Sequence, residues 1–227
     1  SLGLVGSEMC LRDRDYPSVW IEQGEEIGTP PQGDLFSHNL KPVRTGDLIL
    51  VQGANGSGKT TLLREWSNTS NLPWLPTSPD RRLLGMTIEE ELNLQHPILF
   101  AQHLAGEEVQ IPDAEGIQLQ QSALRLDLGL SHLSMVTPVH DLSTGERRRL
   151  SLLPVLMRQP SIMLLDEIDH GLDDLTLADL IEQLNNHRKA GSAIVITSHS
   201  PDLRAWTKVS GGRIWNIEQG RLTEVSP

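Results

Sequence analysis

Residues 53–60 read GANGSGKT, and this segment restricts the possible fold of the chain more than any other. A glycine, four residues and then Gly-Lys-Thr is the pattern of a phosphate-binding loop, in which backbone N–H groups and a helix N-terminus face an anion. The apolar residues 48–51 before it are typical of a buried parallel strand, and residues 61–66 after it favour a helix. The sequence therefore predicts a strand, a phosphate-binding turn and a helix within an α/β fold.

Nucleotide phosphate is the ligand that this loop predicts, with Mg²⁺ as the accompanying ion. Lys59 supplies a positive charge to the β- and γ-phosphates and counts as a catalytic residue, whereas the Thr60 hydroxyl is a ligand for Mg²⁺. A glycine-rich loop that matches by chance is the alternative, which the flanking strand and helix disfavour. The predicted nucleotide-binding residues of the loop are Gly53, Ala54, Asn55, Gly56, Ser57, Gly58, Lys59, Thr60 and Thr61.

A second segment, SIMLLDE at residues 161–167, has an apolar run that leads into two carboxylates. A central strand presents such residues at its carboxyl end, where open α/β sheets bind ligands. We expect Asp166 to hold Mg²⁺ through water and Glu167 to act as the general base that polarises the attacking water. The alternative is a strand that ends in a solvated acidic turn, which is less favoured beside a phosphate-binding loop.

The formal net charge of −11 argues against binding of nucleic acid through bulk positive charge, so no nucleic-acid partner is expected. A single cysteine, Cys10, excludes an internal disulfide and fits a reducing, cytoplasmic location. Apolar runs such as residues 162–165 are too short to span a bilayer, and the first residues lack the pattern of a signal peptide. Any membrane role would therefore need a partner.

Residues 142–146, LSTGE, resemble the LSGGQ signature of the ATP-binding cassette family. Thr144 departs from the usual glycine, whereas Ser143 and Gly145 keep the pattern. The resemblance implies that Ser143 and Gly145 contact the γ-phosphate of ATP bound to a second ATPase subunit, from a helix start that suits an anion. Taken alone, LSTGE also fits an ordinary serine N-cap of a helix.

Two further segments follow in the order of that family. Residues 171–173, GLD, resemble the D-loop, which places Asp173 among the predicted nucleotide-site residues. The residue after Glu167 is Ile168, where the family usually has proline. His199 in TSHS resembles the switch histidine, which implies a bond to the γ-phosphate and a catalytic role. A histidine that follows a strand is otherwise usually a surface residue.

The stretch at residues 74–94 resembles the cobalt-type and energy-coupling-factor branch of import ATPases. On this likeness Thr77 occupies the position of a glutamine near Mg²⁺, so Thr77 is a predicted metal ligand that needs a water because its hydroxyl is short. The family also places an aromatic residue against the adenine, and Tyr16 is the first candidate, with Trp20 second. A Tyr16 that packs on the surface is the alternative.

The motifs together predict an α/β fold: a P-loop NTPase core of the RecA-like type with a parallel sheet, a small N-terminal antiparallel β part and an inserted helical subdomain. Residues 1–76 and 138–227 would form the nucleotide-binding core, and residues 77–137 the helical subdomain. Within this plan, residues 22–33 predict an exposed loop, because they are rich in glycine, proline and glutamate. Two alternating runs around residues 219–220 predict a C-terminal hairpin.

The resemblance implies an ATP-hydrolysing subunit that works as a head-to-tail dimer with an identical or paralogous ATPase subunit. An integral membrane transporter subunit is the second implied partner, which would place the chain at the inner face of the cell membrane as a peripheral cytoplasmic protein. Metal-ion or vitamin uptake is the implied transport. A non-transport cassette ATPase and a regulatory module that binds ATP with little turnover are the alternatives.

The helix pattern after LSTGE contains two unusual features. The basic run at residues 147–149 predicts a solvated face, with one arginine available to a nearby carboxylate. An interior proline, Pro154, predicts either a kink with the Leu150 carbonyl unpaired or a helix that starts later.

Overall fold

The computed structural model describes residues 24–78, 83–95, 114–157 and 160–225. Its strands are β1 (Glu26–Gly28), β2 (Ser37–His38), β3 (Val43–Arg44), β4 (Leu48–Gln52), β5 (Trp74–Leu75), β6 (Ile162–Asp166), β7 (Ala193–Thr197), β8 (Arg213–Glu218) and β9 (Arg221–Val225). Its helices are α1 (Lys59–Ser70), α2 (Ile88–Gln95), α3 (Ala114–Asp127), α4 (Thr144–Met157), α5 (Asp174–Lys189) and α6 (Pro201–Val209). Strands β2-β9-β8-β4-β7-β6-β5, in that order, form a seven-stranded sheet.

The middle of this sheet is made by β4, β7 and β6, which pair in parallel. Their side chains alternate between two hydrophobic cores, one on each face of the sheet. In β4, Leu48 and Leu50 belong to one core and Ile49 and Val51 to the other. Since both faces are covered, the run reads as continuously apolar, and the predicted buried parallel strand is confirmed.

Helix α1 covers one face of the sheet, whereas α4, α5 and α6 contribute to the core on the other face. Trp66 of α1 stacks on Trp215 of β8 with ring centroids 6.2 Å apart. The guanidinium of Arg213 lies 5.3 Å from the centre of the Trp215 ring. This aromatic pair anchors the helix that follows the phosphate-binding loop to β8, the strand next to β4.

The predicted C-terminal hairpin is confirmed, because β8 and β9 pair antiparallel around Gln219 and Gly220. The exposed loop predicted for residues 22–33 is wrong in part. Strand β1 lies within that segment and pairs antiparallel with β3, which also confirms a small N-terminal antiparallel part. The glycine and proline residues of the segment disfavoured the prediction of a strand. The hydrogen bonds beside β1 come from residues that are distant in sequence, for example from the Thr45 N–H to the Glu25 carbonyl at 3.0 Å.

Helix α4 begins at Thr144 and continues through Pro154 to Met157, so a later helix start is wrong. Residues 150–156 of this helix are all buried, and their packing stabilises a turn that proline weakens. The unpaired carbonyl at Leu150 stays a prediction. The solvated face expected for the basic run is also wrong at Arg148, which is 1% exposed.

The helices α2 and α3 lie within the segment predicted to be helical. The carboxylate of Glu91 accepts hydrogen bonds from the N–H groups of Leu84 at 2.6 Å and Gly85 at 2.7 Å, which fixes the turn before α2. The bounds of a separate helical subdomain stay a prediction. Within the described ranges, no helix has the length and apolar character needed to cross a membrane.

Candidate active site

The glycine-rich loop leads from β4 into α1, as the sequence predicts. Gly58 precedes the helix with φ 106°, a left-handed conformation that glycine adopts freely, and no side chain caps α1. A Cβ atom on Gly53 would lie 2.5 Å from the carbonyl oxygen of Ile217, so the loop packs too closely against β8 for a side chain. The N-terminus of α1 therefore lacks a side-chain cap, which suits binding of a phosphate anion.

The ammonium group of Lys59 lies against the same loop. Its Nζ donates hydrogen bonds to the carbonyl oxygens of Gly53 at 2.8 Å and Ala54 at 3.2 Å. Burial lowers the pKa of Lys59, while the negative charges of Glu167 and Asp166 oppose that change. Since an anionic phosphate oxygen is a stronger acceptor than a carbonyl, the ammonium is well placed to bind nucleotide.

Three hydroxyl groups meet at the Asp166 carboxylate, which is 0% exposed at the end of β6. Thr60 Oγ1 and Thr77 Oγ1 donate to Asp166 Oδ2 at 2.8 and 2.9 Å, and Thr197 Oγ1 donates to Oδ1. Carboxylate and hydroxyl oxygens are hard ligands of the kind that Mg²⁺ prefers. The donor set therefore fits the ion, and the assignment of Asp166, Thr60 and Thr77 as its ligands stays a prediction.

Glu167 follows Asp166 with φ 48°, a left-handed conformation that is uncommon outside glycine. Its N–H group donates to both the carbonyl and the hydroxyl oxygen of Thr197, each at 3.0 Å. Its own carbonyl accepts from the His170 N–H at 3.1 Å. Backbone conformations of this type cluster at functional sites, and here the bonds fix the residue that carries the half-buried carboxylate.

Arg148 of α4 reaches the same place from the interior. Its Nη1 donates to the carbonyl of Pro76, and its Nη2 donates to the carbonyls of Asp166 and Glu167, the latter at 3.0 Å. Burial lowers the pKa of Arg148, and the neighbouring carboxylates of Asp166, Asp169 and Glu167 oppose that change. A buried guanidinium therefore joins the segment before Thr77 to the backbone of both carboxylates.

The LSTGE segment forms the start of α4 and is held by a capping box. Ser143 N–H and Oγ donate to Glu146 Oε2 at 2.8 and 2.6 Å, and the Glu146 N–H donates back to Ser143 Oγ at 3.2 Å. Glu146 Oε1 also lies 3.1 Å from His132 Nε2. These side-chain hydrogen bonds, chiefly those from Ser143, lower the pKa of Glu146. A Cβ on Gly145 would lie 2.8 Å from the Gly171 carbonyl oxygen, so LSTGE and GLD are in direct contact.

Asp173 caps α5, because its carboxylate accepts from the Thr176 N–H at 2.8 Å. That backbone hydrogen bond is the main reason that the pKa of Asp173 is lowered, and Arg149, 4.0 Å away, acts in the same direction. His199 follows β7 and is exposed. Asp173 follows the carboxyl end of β6, whose last residue is Asp166, and His199 follows the carboxyl end of β7. Ligands of open α/β sheets bind at this end of the strands.

Residues 70–205, more than half of the chain, match the family model described as "AAA domain, putative AbiEii toxin, Type IV TA system". Over 195 residues the chain is 32% identical to the cytochrome c biogenesis ATP-binding export protein CcmA of Pseudomonas aeruginosa. The match covers 79% of this chain and 92% of that protein. This chain belongs to the ATP-binding cassette ATPases. The cassette ATPase is also 28% identical over 201 residues to ABC transporter G family member 26 of Arabidopsis thaliana, of which it spans 29%.

The fold of the cassette ATPase matches the "dimeric structure of a post-hydrolysis state of the ATP-binding cassette MJ0796 bound to ADP and Pi". The TM-score is 0.64 at 17% identity, over 90% of this chain and 98% of that one. This match confirms the predicted fold class. Membership of the family confirms that the chain is an ATPase subunit that binds ATP. The narrower likeness to cobalt-type import ATPases is not confirmed.

Within the cassette ATPase, the structure brings together one group of the predicted site residues, namely Lys59 and Thr60 of the loop with Thr77, Asp166 and Glu167. A second group, formed by the LSTGE and GLD segments, meets through Gly145. No hydrogen bond in the described part of the chain joins Ser143 or Gly145 to loop 53–60. Tyr16 and Trp20 lie outside the described residues.

Sequence reasoning missed Thr197 and Arg148. Thr197 pairs with Asp166 in the register of β6 and β7, so it becomes visible only when these strands are known to be neighbours. Arg148 was hidden in a run of three arginines that looks solvated. The apolar residues Leu152 and Val155, four and seven positions after Arg148 on the same helix, are a weak signal that this arginine faces inward.

Proposed function

We propose that this cassette ATPase hydrolyses ATP with Mg²⁺ in a head-to-tail dimer, and that closing and opening of the dimer power a membrane transporter. The observation that carries the proposal is that Thr60 of the loop and Thr77 both donate to the carboxylate of Asp166, the residue directly before Glu167. The Lys59 ammonium binds the carbonyls of Gly53 and Ala54 in the same loop. One charged donor, a set of oxygen ligands and a fixed carboxylate are what phosphoryl transfer to water needs.

In the proposed mechanism, the N–H groups of loop 53–60 and the Lys59 ammonium bind the phosphates and orient the γ-phosphate. Thr60, Asp166 and Thr77 would hold Mg²⁺, which when bound would neutralise phosphate charge. A carboxylate oxygen of Glu167 accepts the proton of the attacking water. The LSTGE segment of a second subunit closes over the nucleotide, with the N-terminus of α4 directed at the anion, and excludes water from the site. The exposed His199 is the candidate that contacts the γ-phosphate from the side of β7.

The membrane partner and the direction of transport are inferred from the relatives. The name of CcmA refers to export in cytochrome c biogenesis, which favours export over the metal-ion or vitamin uptake expected from the sequence. The chain would then be peripheral on the inner face of the membrane, bound to an integral membrane subunit. Co-purification of such a subunit from native membranes supports transport, whereas tight nucleic-acid binding supports a non-transport cassette ATPase.

Steady-state phosphate release by wild type and Glu167→Gln tests the catalytic assignment. We expect Glu167→Gln to bind ATP and to form a dimer with ATP, while turnover falls on the order of 100-fold or more, because a general base contributes that much. Glu182→Gln, on the exposed face of α5, is the matched control and should retain turnover. Turnover of Glu167→Gln at the wild-type rate contradicts the assigned base, and a wild type that binds ATP without turnover indicates a regulatory module.

A further inference from the structure

A buried guanidinium connects parts of the active site that are distant in sequence. Arg148 is 1% exposed, and its two terminal nitrogens donate to carbonyls of two segments, Pro76 on one side and Asp166 with Glu167 on the other. The mechanism above gives this residue no task. Burying a charge costs free energy unless hydrogen bonds compensate for the lost water. The nearly complete burial of Arg148 therefore indicates a structural or functional role.

The carbonyls that Arg148 binds belong to the residues that determine the geometry of the site. Pro76 directly precedes Thr77, whose hydroxyl donates to the Asp166 carboxylate at 2.9 Å. The other two carbonyls lie in the backbone that carries the Asp166 and Glu167 side chains. One rigid fork therefore fixes the segment with Thr77 and the turn with the base relative to each other.

The same helix carries LSTGE at its N-terminus. Arg148 lies five positions after Ser143, which corresponds to about 7.5 Å along a helix axis. The Arg147 N–H donates to the Ser143 carbonyl at 2.9 Å, so the helix is regular over this turn. The guanidinium thus ties the start of α4 to the end of β6.

We propose that Arg148 is a positioning residue for hydrolysis: it holds Glu167 at a fixed place relative to Thr77 through their backbone carbonyls. The inference rests on the proposed function, since it concerns the geometry of the same site. Arginine suits the task because its planar fork donates in two directions at once. A lysine ammonium, by contrast, is a compact point donor on a flexible stem.

Arg188 provides a matched control within the chain. It is 3% exposed, and its guanidinium also binds backbone carbonyls, those of Gly46 at 3.0 Å and Ser210 at 3.5 Å. None of these groups belongs to the proposed site. Arg148→Lys and Arg188→Lys therefore remove a comparable buried fork, one beside the site and one elsewhere.

The experiment compares kcat, the dissociation constant for ATP and the thermal midpoint of wild type, Arg148→Lys, Arg148→Gln and Arg188→Lys. We expect both lysine variants to lose stability, but only Arg148→Lys to lose kcat, by on the order of tenfold or more, as small displacements of reacting groups do. ATP affinity should be retained, because the phosphate-binding loop is untouched. Arg148→Gln should lose more kcat than Arg148→Lys, which keeps the charge.

Amide hydrogen exchange of residues 166–170 without nucleotide gives a second readout, which does not depend on activity. Faster exchange in Arg148→Lys than in Arg188→Lys supports the inference, and equal exchange together with a wild-type kcat overturns it. If Arg148→Gln does not fold, Arg148→Lys alone decides. A wild type without phosphate release refutes the proposed function instead, and the exchange comparison then still decides whether Arg148 holds this backbone.

Discussion

The contact between Gly145 and Gly171 allows a prediction in which two effects have opposite signs. Gly145 lies in the first turn of α4 and has no positive φ, so alanine there should stabilise the helix by up to about 1 kcal/mol. Its Cβ would however lie 2.8 Å from the Gly171 carbonyl oxygen, a backbone atom that cannot rotate away. Overpacking of this kind costs about 1–3 kcal/mol.

The steric effect is the larger, and we expect Gly145→Ala to lower the free energy of unfolding by about 1–2 kcal/mol. For a chain of this size that corresponds to a fall of roughly 2–8 °C in the thermal midpoint, which calorimetry or circular dichroism measures. Gly33→Ala is the control, since its Cβ would meet nothing within 4 Å. If Gly145→Ala raises the midpoint as Gly33→Ala should, the close contact between LSTGE and the D-loop is refuted.

Three further predictions concern the carboxylates. Thr197→Val removes a hydroxyl from Asp166, so unfolding in urea should show a loss of about 1–3 kcal/mol and phosphate release should slow; unchanged stability speaks against the hydroxyl cluster. Thr60→Val and Thr77→Val should each raise the Mg²⁺ concentration that half-maximal hydrolysis requires, and an unchanged requirement removes that threonine from the metal site. Asp173→Asn keeps the helix cap without the charge. Hydrogen bonds at the start of α5 lower the pKa of the Asp173 carboxyl below its usual value of 3.8. The stability advantage of wild type over Asp173→Asn should therefore be full above pH 3.8 and vanish as the pH falls through the lower pKa of the folded state. An advantage that persists in acid contradicts this assignment.

The elements that the sequence predicts well are those whose pattern is local. Loop 53–60 is recognisable because glycine and lysine are needed at fixed places within a few residues, and strands such as β4 because both faces are covered. The hairpin at residues 219–220 has the same local character. Strand β1 was missed because its partner β3 comes later in the chain, and neither has more than three residues.

Site residues divide in the same way. Asp166 and Glu167 follow from the strand that precedes them, and Lys59 from the loop. The hydroxyl of Thr197 and the guanidinium of Arg148 act through contacts between elements, and a single sequence does not record which strands are neighbours or which arginine of a run faces inward. The predicted roles of Ser143 and Gly145 need a second subunit and stay predictions.

The length of strand β6 determines both which core each of its apolar side chains enters and where the two carboxylates lie. Its apolar residues alternate between the two cores. The same number of residues places Asp166, and then Glu167, at the carboxyl end of the strand. If β6 lost or gained one residue, the residues on one side of the change would turn to the opposite faces of the sheet. Keeping the apolar residues in register would then shift both carboxylates by about 3.3 Å. A change in the length of β6 therefore cannot move Asp166 and Glu167 without disturbing the packing of the sheet. Variation in this strand has to come through substitution of residues.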